Sequence, residues 1–281
     1  MKLTEVMKLK VLFDKNQEAL LHDIDIFQYN RVEQYTNHAE LLDYSNDAVK
    51  KRAMTVGTAF NIAFKFLIAI THDNLDIGTV IEKSVFKEEA ITMELGIQKL
   101  ESEGHSLSSV FYGSLAMIKD LKKEDPELIQ KVASYAVSLS WFKSYFESGF
   151  FPADVSVMYV SSQVHQDLTN EVYLLLKKSY YEFILGYILD SPEHIIIIEP
   201  KLSADDITYK PDFILDGTMI DIHTTANLKT GPANVKKLIG AYLLNKKHKT
   251  EVIEEFAIYY PRFSLLDRYT EDVQKFNEVI E

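Results

Sequence analysis

Asp216-Gly217 stands between two apolar runs, Phe213-Ile214-Leu215 and Thr218-Met219-Ile220. An Asp-Gly pair flanked this way is a strong local signal for a two-residue β-hairpin, because both turn positions require positive φ. With Asp216 and Gly217 as the turn, Leu215 faces Thr218, and counting outward sets Asp212 opposite Asp221. Directly opposed residues have Cβ atoms about 4.5–5.5 Å apart, and like charges there destabilise the pair. The repulsion must be offset by a bound cation, by a raised pKa on one acid, or by full solvation.

Period-two alternation assigns Asp212, Ile214, Met219, Asp221 and His223 to one face. Phe213, Leu215, Ile220 and Ile222 form the other. Both faces carry apolar residues, so the hairpin is expected inside the protein, where solvation of the acids is the weakest answer. A shared proton or a cation remains. Oxygen donors of this kind suit hard ions such as Mg²⁺ or Mn²⁺.

The rest of the chain divides by periodicity. The first 50 residues read as mostly helical and polar. A helix is expected from Asn46 to Ile70, with Val49, Ala53, Val56, Phe60, Phe64 and Leu67 at spacings of three and four. Further helices are expected over Ile81–Glu103, Leu107–Lys123, Asp125–Ser148 and Asp167–Leu189. Asp125-Pro126 supplies a cap and a first-turn proline. After Ser191-Pro192 the pattern turns to strands at Ile195–Glu199, Asp212–Leu215, Thr218–Thr225 and Phe256–Arg262. An amphipathic helix over Asn234–Lys247 interrupts them, and a closing helix is expected over Glu271–Ile280. The expected class is α/β in a mainly helical chain.

The 281 residues contain no cysteine, which removes disulfides, thiolate zinc sites and cysteine nucleophiles. The N-terminus lacks a secretory pattern, and the most apolar run, Val56–Ile70, reads as too short for a bilayer. A soluble, cytoplasmic protein with no membrane partner is expected. The net charge of -12 argues against broad nucleic-acid binding, since phosphate contacts need cations. Residues 201–250 nevertheless hold eight lysines against five aspartates, leaving room for a basic surface beside the acid pair.

Pro211-Asp212 followed by Asp221-Ile222-His223 resembles the PD-(D/E)XK nuclease superfamily, which has a restriction-endonuclease-like α/β core. His223 stands where that pattern has Lys. Lys237-Leu238-Ile239-Gly240-Ala241-Tyr242-Leu243-Leu244 is similar to the helix that follows the motif in recombination-type exonucleases. Lys237 takes the place of the usual Gln, and Tyr242 is out of step by about one residue. Val56-Gly57-Thr58-Ala59-Phe60 resembles the first core helix. The resemblance covers about a third of the chain. It implies an N-terminal helical segment (1–50), a first core helix (51–78), a large helical insertion domain (79–190) and the α/β core (191–281).

It further implies a nuclease dependent on Mg²⁺ or Mn²⁺, acting on DNA more than RNA, in defence or repair. Asp212 and Asp221 would be metal ligands, with the Ile222 carbonyl as a third and Glu199 as an accessory one. His223 would be the catalytic base, and Lys229 or Lys210 would supply the missing positive charge. Lys229, Lys236, Lys237 and Arg262 are candidate nucleic-acid contacts, although the end of a strand also suits Arg262 as a cap in solvent. The alternative is a catalytically degenerate member that serves as a nucleic-acid-binding or protein-interaction subunit.

Overall fold

Long apolar stripes at helical spacing demand helical partners, and alternating runs demand strand partners; the chain sorts itself accordingly into two compact units, 39–193 and 1–38 with 194–281. The structure, a computed structural model, describes residues 27–33, 47–81, 97–98, 101–102, 104, 107–148, 158–189, 193–204, 207–224, 238–242, 245 and 251–271. The general class is α/β, as expected.

The described residues of the unit 39–193 are mainly helical. The unit contains α1 (Asp47–Thr71), α2 (Ile77–Ile81), α3 (Ser108–Asp120), α4 (Leu128–Ser148) and α5 (Gln163–Ser179). A π-helical stretch, Tyr180–Ile188, continues α5. Helix α1 is the core of this unit: Val56, Phe60, Phe64 and Leu67 are fully buried, which is the stripe read from the sequence. Phe64 meets Phe183 with ring centroids 5.9 Å apart, and Phe111 of α3 meets Phe142 of α4 edge-on at 4.9 Å. The segment 51–78, expected as the first core helix, lies within the unit 39–193.

Local chemistry sets the helix starts. Asp125 accepts the Glu127 amide at 2.9 Å and pairs with Lys131 at 2.8 Å just ahead of α4. Ser162 caps α5 by accepting the His165 amide at 3.1 Å. Gly104, expected to end a helix, has φ of 91°.

Helix α1 extends the apolar run Val56–Ile70 at both ends. Its Arg52–Thr71 stretch is long and apolar enough, by length and composition, to cross a membrane, although Val56–Ile70 alone reads as too short. The most apolar window is 67% buried inside the protein, as in a core helix.

The second unit is built on a six-stranded mixed sheet among the described residues, in the order β1-β8-β7-β6-β5-β2. The strands are β1 (Phe27–Glu33), β2 (Ile196–Ile198), β5 (Phe213–Leu215), β6 (Thr218–Ile222), β7 (Glu255–Tyr260) and β8 (Leu265–Glu271). A separate small hairpin pairs β3 (Leu202–Ala204) with β4 (Ile207–Tyr209). Strands β2, β5 and β6 form an antiparallel meander, whereas β6 and β7 run parallel. Parallel neighbours need a crossover, and the described helical residues between them are 238–242 (α6) and 245. Asn245 locks the return by bonding Glu251 twice, at 2.8 and 2.9 Å.

Leu238, Ile239 and Tyr242 of α6 pack with Ile214, Met219, Phe256, Ile258 and Tyr260 in one core. Phe213, Leu215, Ile220, Ala257 and Tyr259 are buried on the opposite face, so the sheet is covered on both sides. Strand β7 is buried at every position, as the central strand of such a sheet must be.

Two further readings change. Within residues 1–50, read as mostly helical, the described residues are β1 (27–33), a strand paired with β8, and 47–50 at the start of α1. Strand β8 itself occupies Leu265–Glu271, and Glu271, the expected start of a closing helix, is its last residue. Residues 272–281 lie outside the described residues. Strand β1 pairs with β8 from the other end of the chain, a contact that no local pattern carries, and β8 also pairs antiparallel with its sequence neighbour β7.

Candidate metal site on the acid hairpin

Asp216 and Gly217 have φ of 46° and 81°, so both turn residues are left-handed, as a two-residue primed turn requires. The observed register pairs Leu215 with Thr218, Ile214 with Met219 and Phe213 with Ile220. Asp212 and Asp221 occupy the next position of the same register. Asp216 does more than turn the chain: its Oδ1 accepts the Ile195 amide at 2.8 Å, and its Oδ2 contacts His194 Nδ1. The turn is thereby tied to the entry of β2.

The opposed acids meet hydrogen-bond donors. Asp212 Oδ2 accepts the Ile222 amide at 2.7 Å. Asp221 Oδ2 accepts the Tyr209 hydroxyl at 2.6 Å, and its Oδ1 faces the Asp212 amide at 3.4 Å. Asp221 is 6% exposed, and Asp212 is half-buried. Each carboxylate therefore bonds a backbone amide of the opposite strand. Donated hydrogen bonds offset part of the repulsion between the two acids.

Tyr209 was missed in the sequence. It ends β4 three residues before Asp212 and is buried to 3% exposure. Burial, reinforced by the charges of Asp221 and Asp212, pushes its phenol well above the ordinary range. It stays protonated and donates. The available signal was the β-prone Ile207-Thr208-Tyr209 run directly before Lys210-Pro211-Asp212.

The other candidates are distributed around this pair. A strand residue's N–H and C=O leave toward the same edge, so the Ile222 carbonyl lies on the Asp212 side of β6. The His223 amide donates to Tyr259 at 2.8 Å, and its half-buried ring lies edge-on to Tyr260 at 6.0 Å. Glu199 has φ of 45° and bonds Asp212 through the backbone, its amide donating to the Asp212 carbonyl at 2.9 Å.

Among the described residues, no three of His, Cys, Asp or Glu come together as a cation site. Neither Glu199 nor His223 therefore completes a three-residue group with the two acids. A site here would rest on Asp212, Asp221 and backbone oxygen.

Arg262 is 5% exposed, and its Nε donates to the Thr224 carbonyl at 3.3 Å. It ties the end of β7 to the end of β6, and the reading of it as a cap in solvent is corrected. Lys210 is half-buried between Tyr209 and Pro211. Lys229, Lys236 and Lys237 lie outside the described residues.

Compared with protein families, curated proteins and solved structures, the chain matches no family model, no curated sequence and no solved structure.

Proposed function

We propose that this chain is a diverged PD-(D/E)XK-type nuclease that hydrolyses phosphodiester bonds in nucleic acid, DNA ahead of RNA, with Mg²⁺ or Mn²⁺ as cofactor. The observation that carries the reading is the Asp212/Asp221 pair, fixed at one register position by the Ile222 amide and the Tyr209 hydroxyl. Asp212 directly precedes β5 and Asp221 lies in β6, and the Asp-Ile-His segment lies at the C-terminal end of β6. That end adjoins the parallel strand β7, and ligands of open α/β sheets bind at the C-terminal ends of strands.

The donor set fits a hard divalent ion, being two carboxylates with the Ile222 carbonyl on the same side of the strand. Such an ion, when bound, lowers the pKa of its water and stabilises charge developing on phosphate. Asp212 and Asp221 would hold it in a fixed position. Imidazole titrates near neutrality, so His223 can take a proton from the attacking water on a ring nitrogen.

A second reading has its own observation. No third acid or histidine joins the pair among the described residues, and His replaces Lys in the motif. Both favour a degenerate nuclease fold that binds nucleic acid or protein without cleaving it.

Metal titration of the full chain, followed by calorimetry, separates these readings. The nuclease reading expects Mg²⁺ or Mn²⁺ binding that Asp221→Asn abolishes, together with cleavage that His223→Lys raises. Metal binding with intact single- and double-stranded DNA and RNA, in both wild type and His223→Lys, supports the binding subunit. No metal binding at all sinks the catalytic reading.

A further inference from the structure

We propose that the contact between α4 and α5 is a binding site for internal water, held by Ser138 of α4 and by His165 and Thr169 of α5. The site belongs to the helical unit and is independent of the acid pair.

Ser134 Oγ of α4 and His165 Nε2 of α5 lie 3.3 Å apart. On α4, Ser138 follows Ser134 by one turn and Trp141 by two, so the three share a face. On α5, Thr169 follows His165 by one turn. Ser138 and Thr169 therefore each stand one turn from the Ser134–His165 contact, in whichever direction the helices pass. Side chains one turn apart have Cβ atoms about 5–6 Å from each other. Two polar atoms bridged by one water sit about 4.5–5.5 Å apart, so that spacing suits a bridge.

Four buried atoms on these two faces have no hydrogen-bond partner among the described residues: Ser138 Oγ, Trp141 Nε1, His165 Nδ1 and Thr169 Oγ1. The hydroxyls are the informative ones. Elsewhere in the helical unit a hydroxyl turns back on its own helix. Thr71 donates to the Leu67 carbonyl at 2.6 Å, Ser114 to Val110 at 2.7 Å and Ser140 to Val137 at 2.7 Å. Ser138 and Thr169 do not take that local acceptor. A buried polar group left without any partner bears its full desolvation penalty, so these atoms call for a ligand.

Their chemistry defines that ligand. Burial keeps His165 neutral, with its pKa lowered to about 4. In one tautomer of a neutral imidazole Nδ1 needs an acceptor, and in the other it needs a donor. Hydroxyls both donate and accept. An anion only accepts and a metal cation takes only lone pairs, whereas a small neutral molecule that does both fits the whole set. Helices in contact at 3.3 Å favour the smallest such molecule. Water asks for about two to four polar partners, which this site supplies.

The test is oxygen-17 magnetic relaxation dispersion of water with the full chain, which counts long-lived internal waters and is blind to exchanging hydroxyl protons. Wild type, Thr169→Val and Ser138→Ala are compared, and each is also melted thermally. Thr169→Val keeps the shape of the side chain and deletes its hydroxyl. Each variant is expected to lose about one internal water, and Thr169→Val to melt about 2–4 °C lower. A hydroxyl buried dry gives the opposite result, because replacing it with a methyl removes an unpaired polar group and raises the melting temperature.

An unchanged dispersion in either variant overturns the proposal, and so does a higher melting temperature in Thr169→Val. Wild-type dispersion that shows no long-lived water also overturns it, a measurement that stands even if neither variant folds.

Discussion

Gly217 and Asp216 carry the hairpin on backbone conformations that most side chains resist, with φ of 81° and 46°. Aspartate tolerates the left-handed region better than most side chains, and the Asp216 carboxylate also accepts the Ile195 amide of the neighbouring strand's entry. At Gly217 a Cβ would meet Glu254 Cγ at 3.5 Å, an ordinary contact. The cost of Gly217→Ala is therefore conformational, and a loss of about 1–2 kcal/mol is expected. Urea unfolding of the variant checks this, and unchanged stability would contradict the turn as described. Two opposed acids and a turn were legible at this scale because they depend on residues adjacent in sequence. The Tyr209 bond was not, because it depends on how a separate hairpin, β3–β4, lies against the pair.

At the scale of elements, the apolar stripe of α1 is buried, and over residues 62–69 burial extends all round the helix. The stripe Val56, Phe60, Phe64 and Leu67 was readable in α1 because a helix repeats its own face without outside help. Strands are different. In β8, Asp267 and Arg268 break any alternating apolar pattern, yet Asp267 is 1% exposed and the segment pairs with β7 and β1. Pairing made the strand, and periodicity could not announce it.

The α4 and α5 helices add a pH dependence. His165 on α5 is 1% exposed and lies 3.3 Å from the Ser134 hydroxyl on α4. Burial lowers its pKa from 6.5 to about 4, so the folded protein holds it neutral while the unfolded chain protonates it first. Stability is then fully present above pH 6.5 and is lost as pH falls toward about 4, by an amount on the order of 3 kcal/mol. His165→Gln is expected to flatten that slope. Trp141, the single tryptophan and a residue of α4, reports unfolding of the same unit by fluorescence. Equal slopes in wild type and variant would count against His165 as the source.

At the scale of the whole molecule, the sheet unit is assembled from both ends of the sequence, with the helical unit 39–193 between them in the chain. Strand β1 covers the edge of β8 over seven residue pairs, from Phe27 with Glu271 to Glu33 with Leu265. Deleting residues 1–38 would leave β8 as a bare edge, and exposed edges recruit other chains. The truncated chain is expected to self-associate and to melt at a lower temperature, as read by light scattering and thermal unfolding. A monomeric truncation with unchanged melting would mean that β1 contributes nothing to the sheet.

The amino-acid sequence alone determined the helices with strong apolar stripes, the Asp-Gly hairpin and the opposition of Asp212 to Asp221. All of these follow from residues within a few positions of one another, where backbone geometry repeats predictably. Tertiary structure decided the rest: that β1 and β8 are strands, that Arg262 is buried against Thr224, and that Glu199 does not join the acids. It also decided how the acid pair is stabilised. A hydroxyl and an amide brought in from neighbouring segments bond the two carboxylates, because charges withdrawn from water must find donors wherever the fold supplies them.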